Sequence, residues 1–432
     1  MRVLMFGWEF PPFFAGGVGM VCYELTRAFS RRDDLQVTYV MPHGPGNISN
    51  SHVPIIVANN LISNDRINIK KIPSLLTPYI TFEGYQKIRQ SFLSNTDEYS
   101  DLAADNTARL YGKTLMQEVV RFSEKARILA EHEDFDVIHA HDWTTFPAAI
   151  AAREATGKPF IAHVHITEFD KSGGAGVDQR IYNVEKQGLE QADCIIAISH
   201  YVKCGLVKNY GIDESKIHVI HNAANTMDTT DYSSEFEIKK HHKVVLFAGR
   251  VTLQKGPEYF IDAAKKVCDF RDDVVFVMAG NGDMLPRMIE KAAELGISDR
   301  FIFHGFYTRG EAEKLFSMAD LFVMPSVSEP FGIVPFESMS KGTPTIISNQ
   351  SGCSEVLKNC LKVDFWDINE MANLMLSVLE HSALHNTLEE QGLHEMKFVT
   401  WNKPAQHCVD LYRKMLKTKN LLERPVKPKQ EV

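Results

Sequence analysis

The sequence predicts an α/β protein with two domains, each built on a parallel sheet that helices cover on both faces. The chain of 432 residues is longer than a single hydrophobic core usually supports. Short apolar runs that end in glycine-rich or polar loops alternate with helical segments, which is typical of doubly wound βαβ units. A polar stretch without strong periodicity, residues 227–242, separates two such series. We therefore expect domains at residues 1–225 and 226–400.

The composition limits the kinds of partner that the protein is expected to bind. Hydrophobic residues make up 44% and charged residues 24% of the chain, as in water-soluble globular proteins. A net charge of −8 gives no reason to expect nucleic acid, and no apolar run is long enough for an integral membrane span. Seven scattered cysteines without a CxxC pair argue against zinc and favour reduced thiols. We expect a cytoplasmic protein, and the oligomeric state is not predicted.

The first domain opens with a strand over residues 2–7, a glycine-rich turn and a helix over residues 20–32. Gly16 and Gly17 lie in the turn, where exposed backbone N–H groups and the positive end of a helix suit a phosphate group. The glycines do not complete GxGxxG, and no P-loop lysine follows, so a dinucleotide-dependent dehydrogenase is disfavoured. By themselves the two glycines are equally typical of an ordinary turn.

Further strands of this domain are expected at residues 36–41, 136–141, 160–165, 194–199 and 217–220. Residues 44–106 are irregular and form a long insertion of the kind that is either functional or mobile. A glycine-rich loop at residues 171–176 could close over a substrate. Residues 421–432 are charged and contain two prolines, so we expect a disordered tail.

Histidines and acidic residues follow two of these strands. His141 and Asp142 end one strand, and His163 and His165 lie two residues apart on the next, so their side chains share one face. With the acidic residues at 168 and 170 they could form a metal site. Alternatively, one histidine faces the core and the other faces a cleft. An Asp-x-Asp at residues 134–136 precedes its strand instead of following it, so we do not expect it to bind a metal ion.

The second series starts with a strand over residues 243–248, which leads into Gly249, Arg250 and, five residues further on, Lys255. Two cations in a strand-to-helix loop suit a diphosphate leaving group, whose charge rises as the bond breaks. As isolated residues, an arginine and a lysine are more often solvated surface cations. Further strands of this series are expected at residues 274–279, 301–304, 321–324 and 345–348.

Two glutamates flank the loop after the strand at residues 321–324. Glu329 precedes a Pro-Phe-Gly turn, and Glu337 lies on the helix behind it, over residues 334–341. Gly332 allows the backbone to approach a ligand, and ionised carboxylates accept hydrogen bonds from vicinal hydroxyl groups. The carboxyl end of a parallel strand is where open α/β sheets bind ligands. The alternative is a charged loop with an ordinary helix behind it.

Together these motifs resemble those of one enzyme family. Gly-Gly at residues 16–17, His-Ala-His-Asp-Trp at 139–143, Gly-Arg-x4-Lys-Gly at 249–256 and Glu-x7-Glu at 329–337 are similar to motifs of retaining glycosyltransferases of family 4. That group includes sucrose, trehalose and some glycogen synthases. The resemblance spans nearly the whole chain. It implies the GT-B fold, with two Rossmann-like domains facing across a cleft and a last helix at about 401–417 that packs back on the first domain.

The resemblance also implies a role for each matching residue. The diphosphate of a nucleotide-sugar donor would be held, and stabilised as it leaves, by Gly16, Gly17, Arg250 and Lys255. The ribose hydroxyls would contact Glu337. No metal ion and no organic cofactor is expected.

The transferred sugar would contact a second group of residues. Glu329 would bind its hydroxyls, with Gly332 and Ile333 beside it. His165 would lie near the anomeric carbon, and Asp142 would line the same cleft.

The motif His-x-His-x-Thr-Glu-Phe-Asp at residues 163–170 resembles glycogen-synthase-like members in particular. This implies transfer of glucose to a carbohydrate acceptor, an α-glucan. Bacterial ADP-glucose synthases place a lysine two residues before Gly-Gly, whereas this chain has Phe14, so UDP-glucose is favoured as donor. Open alternatives are a family 4 transferase to a lipid or small-sugar acceptor, a nucleotide-sugar epimerase and a non-catalytic nucleotide-sugar-binding protein.

Overall fold

The computed structural model describes residues 1–11, 17–43, 51–58, 107–174, 176–224 and 237–422. Outside these ranges lie Phe14, Gly16, most of the 44–106 segment, most of the polar stretch between the two series, and the tail from residue 423. In the described part of the chain, helices accompany two parallel sheets, and the predicted fold class is confirmed. No helix in these ranges is long and apolar enough to cross a membrane.

The first sheet has the strand order β3-β2-β1-β4-β5-β6-β7, and all neighbouring strands run parallel. Its strands are β1 Arg2–Phe6, β2 Gln36–Met41, β3 Ile55–Val57, β4 Val137–His141, β5 Phe160–Val164, β6 Cys194–Ala197 and β7 Ile217–Val219. The order reverses between β1 and β4. Such a reversal opens a crevice at the carboxyl ends of the strands, where doubly wound sheets bind ligands.

The second sheet repeats this plan with the strand order β10-β9-β8-β11-β12-β13, again all parallel. Its strands are β8 Lys243–Ala248, β9 Val274–Ala279, β10 Phe301–Gly305, β11 Leu321–Met324, β12 Thr345–Ser348 and β13 Leu361–Val363. The order reverses between β8 and β11. We call residues 1–224 the first half and residues 237–400 the second half.

Both faces of each sheet are buried, which explains why the strands read as continuous apolar runs. In β1, Leu4 and Phe6 join one hydrophobic cluster, whereas Val3 and Met5 join another on the opposite face. The strand β8 divides in the same way between two clusters. A strand covered on both sides needs apolar side chains at every position.

The helices connect and cover the strands. In the first half they are α1 Gly17–Phe29, α2 Thr107–His132, α3 Phe146–Thr156, α4 Glu168–Ser172, α5 Gln179–Gln191 and α6 His200–Tyr210. In the rest of the chain they are α7 Pro257–Cys268, α8 Leu285–Glu294, α9 Arg309–Met318, α10 Val334–Ser340, α11 Ile368–Glu380, α12 Ser382–Met396 and α13 Asn402–Leu422.

Two local predictions are wrong, and one strand was missed. The strand β3 lies inside the segment expected to be irregular, and β13 was not predicted. Both are three-residue strands at the edges of their sheets, too short for a clear pattern. The expected loop at residues 171–176 begins within α4, because Thr167 and Asp170 form a capping box that starts a helix there.

The helix α13 packs against α1 of the first half. Its apolar residues Ala405, Cys408 and Tyr412 belong to the same hydrophobic cluster as Phe29. The hydroxyl of Tyr412 is fully buried and is hydrogen-bonded to Nδ1 of His139 in β4. The end of the described chain therefore helps to build the core of the first sheet.

The substitution Tyr412→Phe tests this contact. It removes the partner of His139 Nδ1 without changing the ring, and an unsatisfied buried polar group costs about 1–3 kcal/mol. We expect the free energy of unfolding, measured by urea denaturation, to fall by about that amount. Tyr182→Phe is the control, because the Tyr182 hydroxyl donates a longer bond of 3.3 Å to the carbonyl of Asn209 from a half-buried position. Equal losses in the two variants would contradict the expectation.

Candidate active site

The predicted site residues lie where strands of both sheets end. Asp142 follows β4 and His165 follows β5 in the first half, while Arg250 follows β8 and Glu329 lies beyond β11 in the second half. Gly17 is the first residue of α1, and its partner Gly16 lies outside the described residues. The placement at strand ends is that of ligand sites in doubly wound folds.

Glu329 and Lys255 form an ion pair. The Lys255 ammonium donates to Oε2 of Glu329, and Glu329 is only 7% exposed. The backbone of Glu329 is held on both sides, since its N–H donates to the Gln350 carbonyl at 3.0 Å and its carbonyl accepts from Gly352 N–H at 2.8 Å. A nearly buried carboxylate needs such a cation, because burial without a partner is costly.

The turn after Glu329 requires glycine. Gly332 has a φ of 87°, and a Cβ at this position would lie 2.9 Å from Cγ of Glu329. Ile333 follows as the residue before α10, and Glu337 lies in the first turns of that helix. Burial raises the pKa of Tyr307, and the negative charge of Glu337 raises it further, which places Glu337 close to that ring.

The loops after β8 and β9 lie against each other. A Cβ at Gly280 would come within 1.7 Å of the Gly249 carbonyl oxygen, and the N–H of Val251 donates to the Asn281 carbonyl at 2.9 Å. This packing fixes the backbone on both sides of Arg250. The Arg250 side chain is exposed at the end of β8.

Lys171 in α4 is a further cation at this place, and sequence reasoning missed it. Burial lowers the pKa of Lys171, and Arg250 lowers it further, although the carboxylates of Glu168, Glu185 and Asp142 oppose this. Lys171 of the first half thus lies within electrostatic range of Arg250 of the second half. From the sequence, Lys171 was assigned only to a glycine-rich loop that could close over a substrate.

Four buried histidines form an array on one face of β4 and β5. His141 and His163 are paired in the sheet register, and none of His139, His141, His163 and His165 is more than 5% exposed. Nε2 of His139 is 3.0 Å from Nδ1 of His163, and Nδ1 of His141 is 2.8 Å from Nε2 of His165. Burial lowers the pKa of His139 and of His165 to about 3, so the array is neutral at physiological pH.

Asp142 holds the peptide of His165. Its Oδ1 accepts from the N–H of His165 at 2.7 Å, and its own φ of 58° is the one positive value at a non-glycine residue in the described ranges. Burial raises the pKa of Asp142 to about 7, partly opposed by these backbone hydrogen bonds. Oδ2 of Asp142 is buried and has no hydrogen-bond partner in the described part of the chain.

The possible metal ligands have other partners. Nitrogen atoms of His139, His141 and His163 lie within 4.8 Å of one another, but both nitrogens of His139 are already hydrogen-bonded. The acidic residues that the sequence suggested as co-ligands point elsewhere. Glu168 pairs with Lys171, and Asp170 accepts from Thr167 and Ser328. The arrangement favours a hydrogen-bonded imidazole array over a metal centre.

Two family models together cover most of the chain. The model described as "Glycosyltransferase Family 4" matches residues 96–227, and "Glycosyl transferases group 1" matches residues 228–395. The fold and these matches define a GT-B glycosyltransferase. The chain belongs to the family 4-like glycosyltransferases of this fold.

Individual relatives agree with this assignment at low identity. The chain is 26% identical over 374 residues to an uncharacterized glycosyltransferase of Methanocaldococcus jannaschii, covering 83% of each protein. It is 24% identical over 365 residues to a glycogen synthase of Mycobacterium tuberculosis, covering 83% of this chain and 80% of the relative.

Solved structures show the same fold. Sucrose-phosphate synthase from Thermosynechococcus elongatus superposes with a TM-score of 0.73 at 19% identity, covering 96% of this chain and 99% of that one. The Anabaena protein HepE, in complex with UDP and glucose, superposes with a TM-score of 0.66 at 17% identity, covering 96% and 100% of the two chains.

Asp142→Asn tests the environment of this carboxyl group. Its folded pKa of about 7 exceeds the ordinary 3.8, so its stabilising contribution is complete below pH 3.8 and is lost as the pH rises through 7. Asparagine tolerates a positive φ and cannot ionise. We expect the stability of the wild type relative to Asp142→Asn to fall by roughly 2–4 kcal/mol between pH 4 and pH 7. Urea denaturation across this range checks it, and parallel curves would contradict the raised pKa.

Proposed function

We propose that the protein is a retaining glycosyltransferase that moves glucose from UDP-glucose to an α-glucan. The observation that carries this proposal is the Lys255–Glu329 pair beside the Gly332 turn, at the reversal point of the second sheet. A cation that can bind phosphate lies there next to a carboxylate that can bind sugar hydroxyls. We also propose that the boundary between the two domains lies between residues 225 and 226.

The donor would lie with its diphosphate against the second half. Arg250 is exposed at the mouth of its loop, Lys255 is half-buried, and Lys171 adds a positive charge from the first half. Cations that are already fixed in place stabilise the charge that develops on the leaving diphosphate without reorganising. Gly16 and Gly17 would contribute backbone N–H groups from the opposite side, and Glu337 would accept from the ribose.

The sugar would lie between Glu329 and His165, with the backbone at Gly332 and Ile333 beside it. Because the pKa of His165 is about 3, its ring is neutral at physiological pH and is not a proton donor to the leaving group. The leaving phosphate would instead accept the proton of the attacking hydroxyl on the same face, which retains the anomeric configuration. A neutral ring also avoids repelling the positive charge that develops at the anomeric carbon.

The similarity to a glycogen synthase supports glucose as the transferred sugar and a glucan as the acceptor. Phe14, two residues before Gly-Gly, supports UDP-glucose over ADP-glucose as the donor. A second candidate is transfer to a small phosphorylated acceptor. It is favoured by 28% identity over 270 residues to a D-inositol 3-phosphate glycosyltransferase of Mycolicibacterium smegmatis, covering 59% of this chain and 62% of that protein.

Lys255→Ala tests the phosphate role. Loss of one group that stabilises the developing charge lowers kcat by about 10²–10³-fold in comparable sites. We expect a fall of this size in UDP release from UDP-glucose with glycogen. The control is Lys265→Ala, because Lys265 of α7 also forms an ion pair in the second half, with the exposed Asp269 that follows the helix. Wild-type turnover by Lys255→Ala, in a protein with an unchanged circular dichroism spectrum, would overturn the site assignment.

A donor screen tests the reaction itself. Nucleotide release is measured with UDP-glucose, ADP-glucose, GDP-mannose and UDP-N-acetylglucosamine, each alone, with glycogen and with inositol phosphate, and without added metal. We expect glycogen-dependent release of UDP from UDP-glucose. Glycogen-independent slow hydrolysis of one donor, accelerated by inositol phosphate, would select the second candidate instead. The absence of release from every donor would reject both.

A further inference from the structure

The carboxylate of Glu355 connects the two halves of the protein. Glu355 ends a 3-10 turn, Gly352–Glu355, which follows β12 in the second half. Its Oε2 accepts from the N–H of His200 and its Oε1 from the N–H of Tyr201, both at 2.8 Å, in the first half. Nε2 of His221, also in the first half, lies 2.7 Å from Oε2. Neither the sequence motifs nor the proposed chemistry gave this residue a role.

These contacts complete the amino terminus of α6. The first N–H groups of a helix have no partner within the helix and must be capped. Ser199 caps the N–H of Val202 with its side chain at 3.0 Å, and Glu355 takes the N–H groups of the two residues between. A carboxylate is also favoured at the positive end of the helix dipole. A helix in one half is therefore capped by a side chain of the other.

The same helix start also contacts the turn that follows Glu329, residues 330–333, which we call the donor turn because the donor is proposed to bind there. The Ser199 hydroxyl donates to the Pro330 carbonyl at 2.7 Å, and the N–H of Cys353 donates to the Phe331 carbonyl at 2.7 Å. Gly352 is packed between them, because a Cβ there would lie 2.2 Å from the Pro330 oxygen and 2.6 Å from Cβ of Ser199. The Glu355 cap and the Pro330 contact are therefore parts of one small interface.

The hydrogen bonds of the Glu355 carboxylate stabilise the contact between the halves, and its partial exposure allows them to be exchanged for water. Burial raises the pKa of Glu355, but the hydrogen bonds from His221, His200 and Tyr201 outweigh it and hold that pKa below its usual value. The Glu355 side chain is 20% exposed, so water can replace its partners when the halves separate. Such a contact stabilises one arrangement of the two halves but still allows them to separate.

A metal ion is a weaker explanation for the same residues. His200, His221 and Glu355 offer ligand atoms within 4.8 Å of one another. However, both oxygens of Glu355 already accept backbone N–H groups, and the positive end of α6 disfavours a cation. The geometry favours a cap.

We infer that Glu355 is a positioning residue, which holds the two halves in the arrangement where Ser199 fixes the Pro330 carbonyl of the donor turn. This inference rests on the proposed function, since it assigns the donor to that turn. A donor that contacts both halves binds the arrangement in which they are correctly placed, so its apparent affinity depends on how often that arrangement is populated. Glu355 would therefore raise donor affinity without touching the donor.

The test compares Glu355→Gln with Glu395→Gln in the full chain. Glu395 accepts the N–H groups of Lys358 and Asn359 at 2.9 Å each, so it makes the same pair of backbone contacts within the second half alone. UDP binding is measured by titration calorimetry, the melting temperature by scanning calorimetry, and KM for UDP-glucose in the release assay. Loss of hydrogen bonds to a charged group corresponds to about a tenfold or larger change in an equilibrium constant.

We expect Glu355→Gln to weaken UDP binding and raise KM for the donor about tenfold, with a melting temperature no lower than that of Glu395→Gln. Glu395→Gln should lower the melting temperature and leave UDP binding unchanged. Ser199→Ala is a second variant, which tests the same interface if Glu355→Gln does not fold. It should also weaken UDP binding. Wild-type UDP affinity in both Glu355→Gln and Ser199→Ala would overturn the inference while the proposed function stands. Failure of the wild type to bind UDP would instead overturn the proposed function and the inference with it.

Discussion

The buried carboxylate of Glu329 is the point on which three loops of the second half converge. Its backbone is bonded to residues 350 and 352 after β12, and Val327 just before it donates to the carbonyl of Gln254 at 2.9 Å. Lys255, the next residue after Gln254, supplies the compensating charge. Breaking one side of a buried ion pair costs about 3–5 kcal/mol, a large fraction of the 5–15 kcal/mol by which domains are usually stable. The loops after β8, β11 and β12 are thus tied to one another through the residues that are proposed to meet the donor.

The two halves carry different chemistry at their strand ends. The second half has the Lys255–Glu329 pair and Arg250, whereas a stack of buried neutral imidazoles runs along β4 and β5 in the first half, with the rings of His163 and His165 4.3 Å apart. Of this array, His165 is the member that lies beyond its strand. The array stays neutral because all four rings are buried, and a second protonation would place two positive charges beside each other. Asp142 is the exception, since burial moves its pKa to about 7, where its charge responds to small changes of environment. Its Oδ1 accepts from the N–H of His165 at 2.7 Å, so this carboxyl group lies directly beside the residue proposed to meet the sugar.

The sequence predicted the central strands well and the contacts between distant loops poorly. Central strands such as β8 and β9 are covered on both faces, so every position is apolar and the run is visible. The edge strands β3 and β13 lack that signal because they are short and partly exposed. Glu329 and Lys255 were each assigned a role from their motifs. Their direct pairing was not predicted, because they are 74 residues apart and only the fold brings them together.

The contact between the two halves could not be predicted from the local sequence. Serine before a helix predicts a cap, but nothing near Ser199 indicates that its hydroxyl also donates to Pro330, 131 residues away. The centre of this contact is apolar, since Ile198, Val202 and Phe331 belong to one hydrophobic cluster, and the Glu355 carboxylate lies at its partly exposed edge. Apolar area supplies non-directional attraction, whereas charged hydrogen bonds fix orientation. The apolar centre therefore holds the halves together without fixing their orientation, and the polar edge is the part of the contact that orients them.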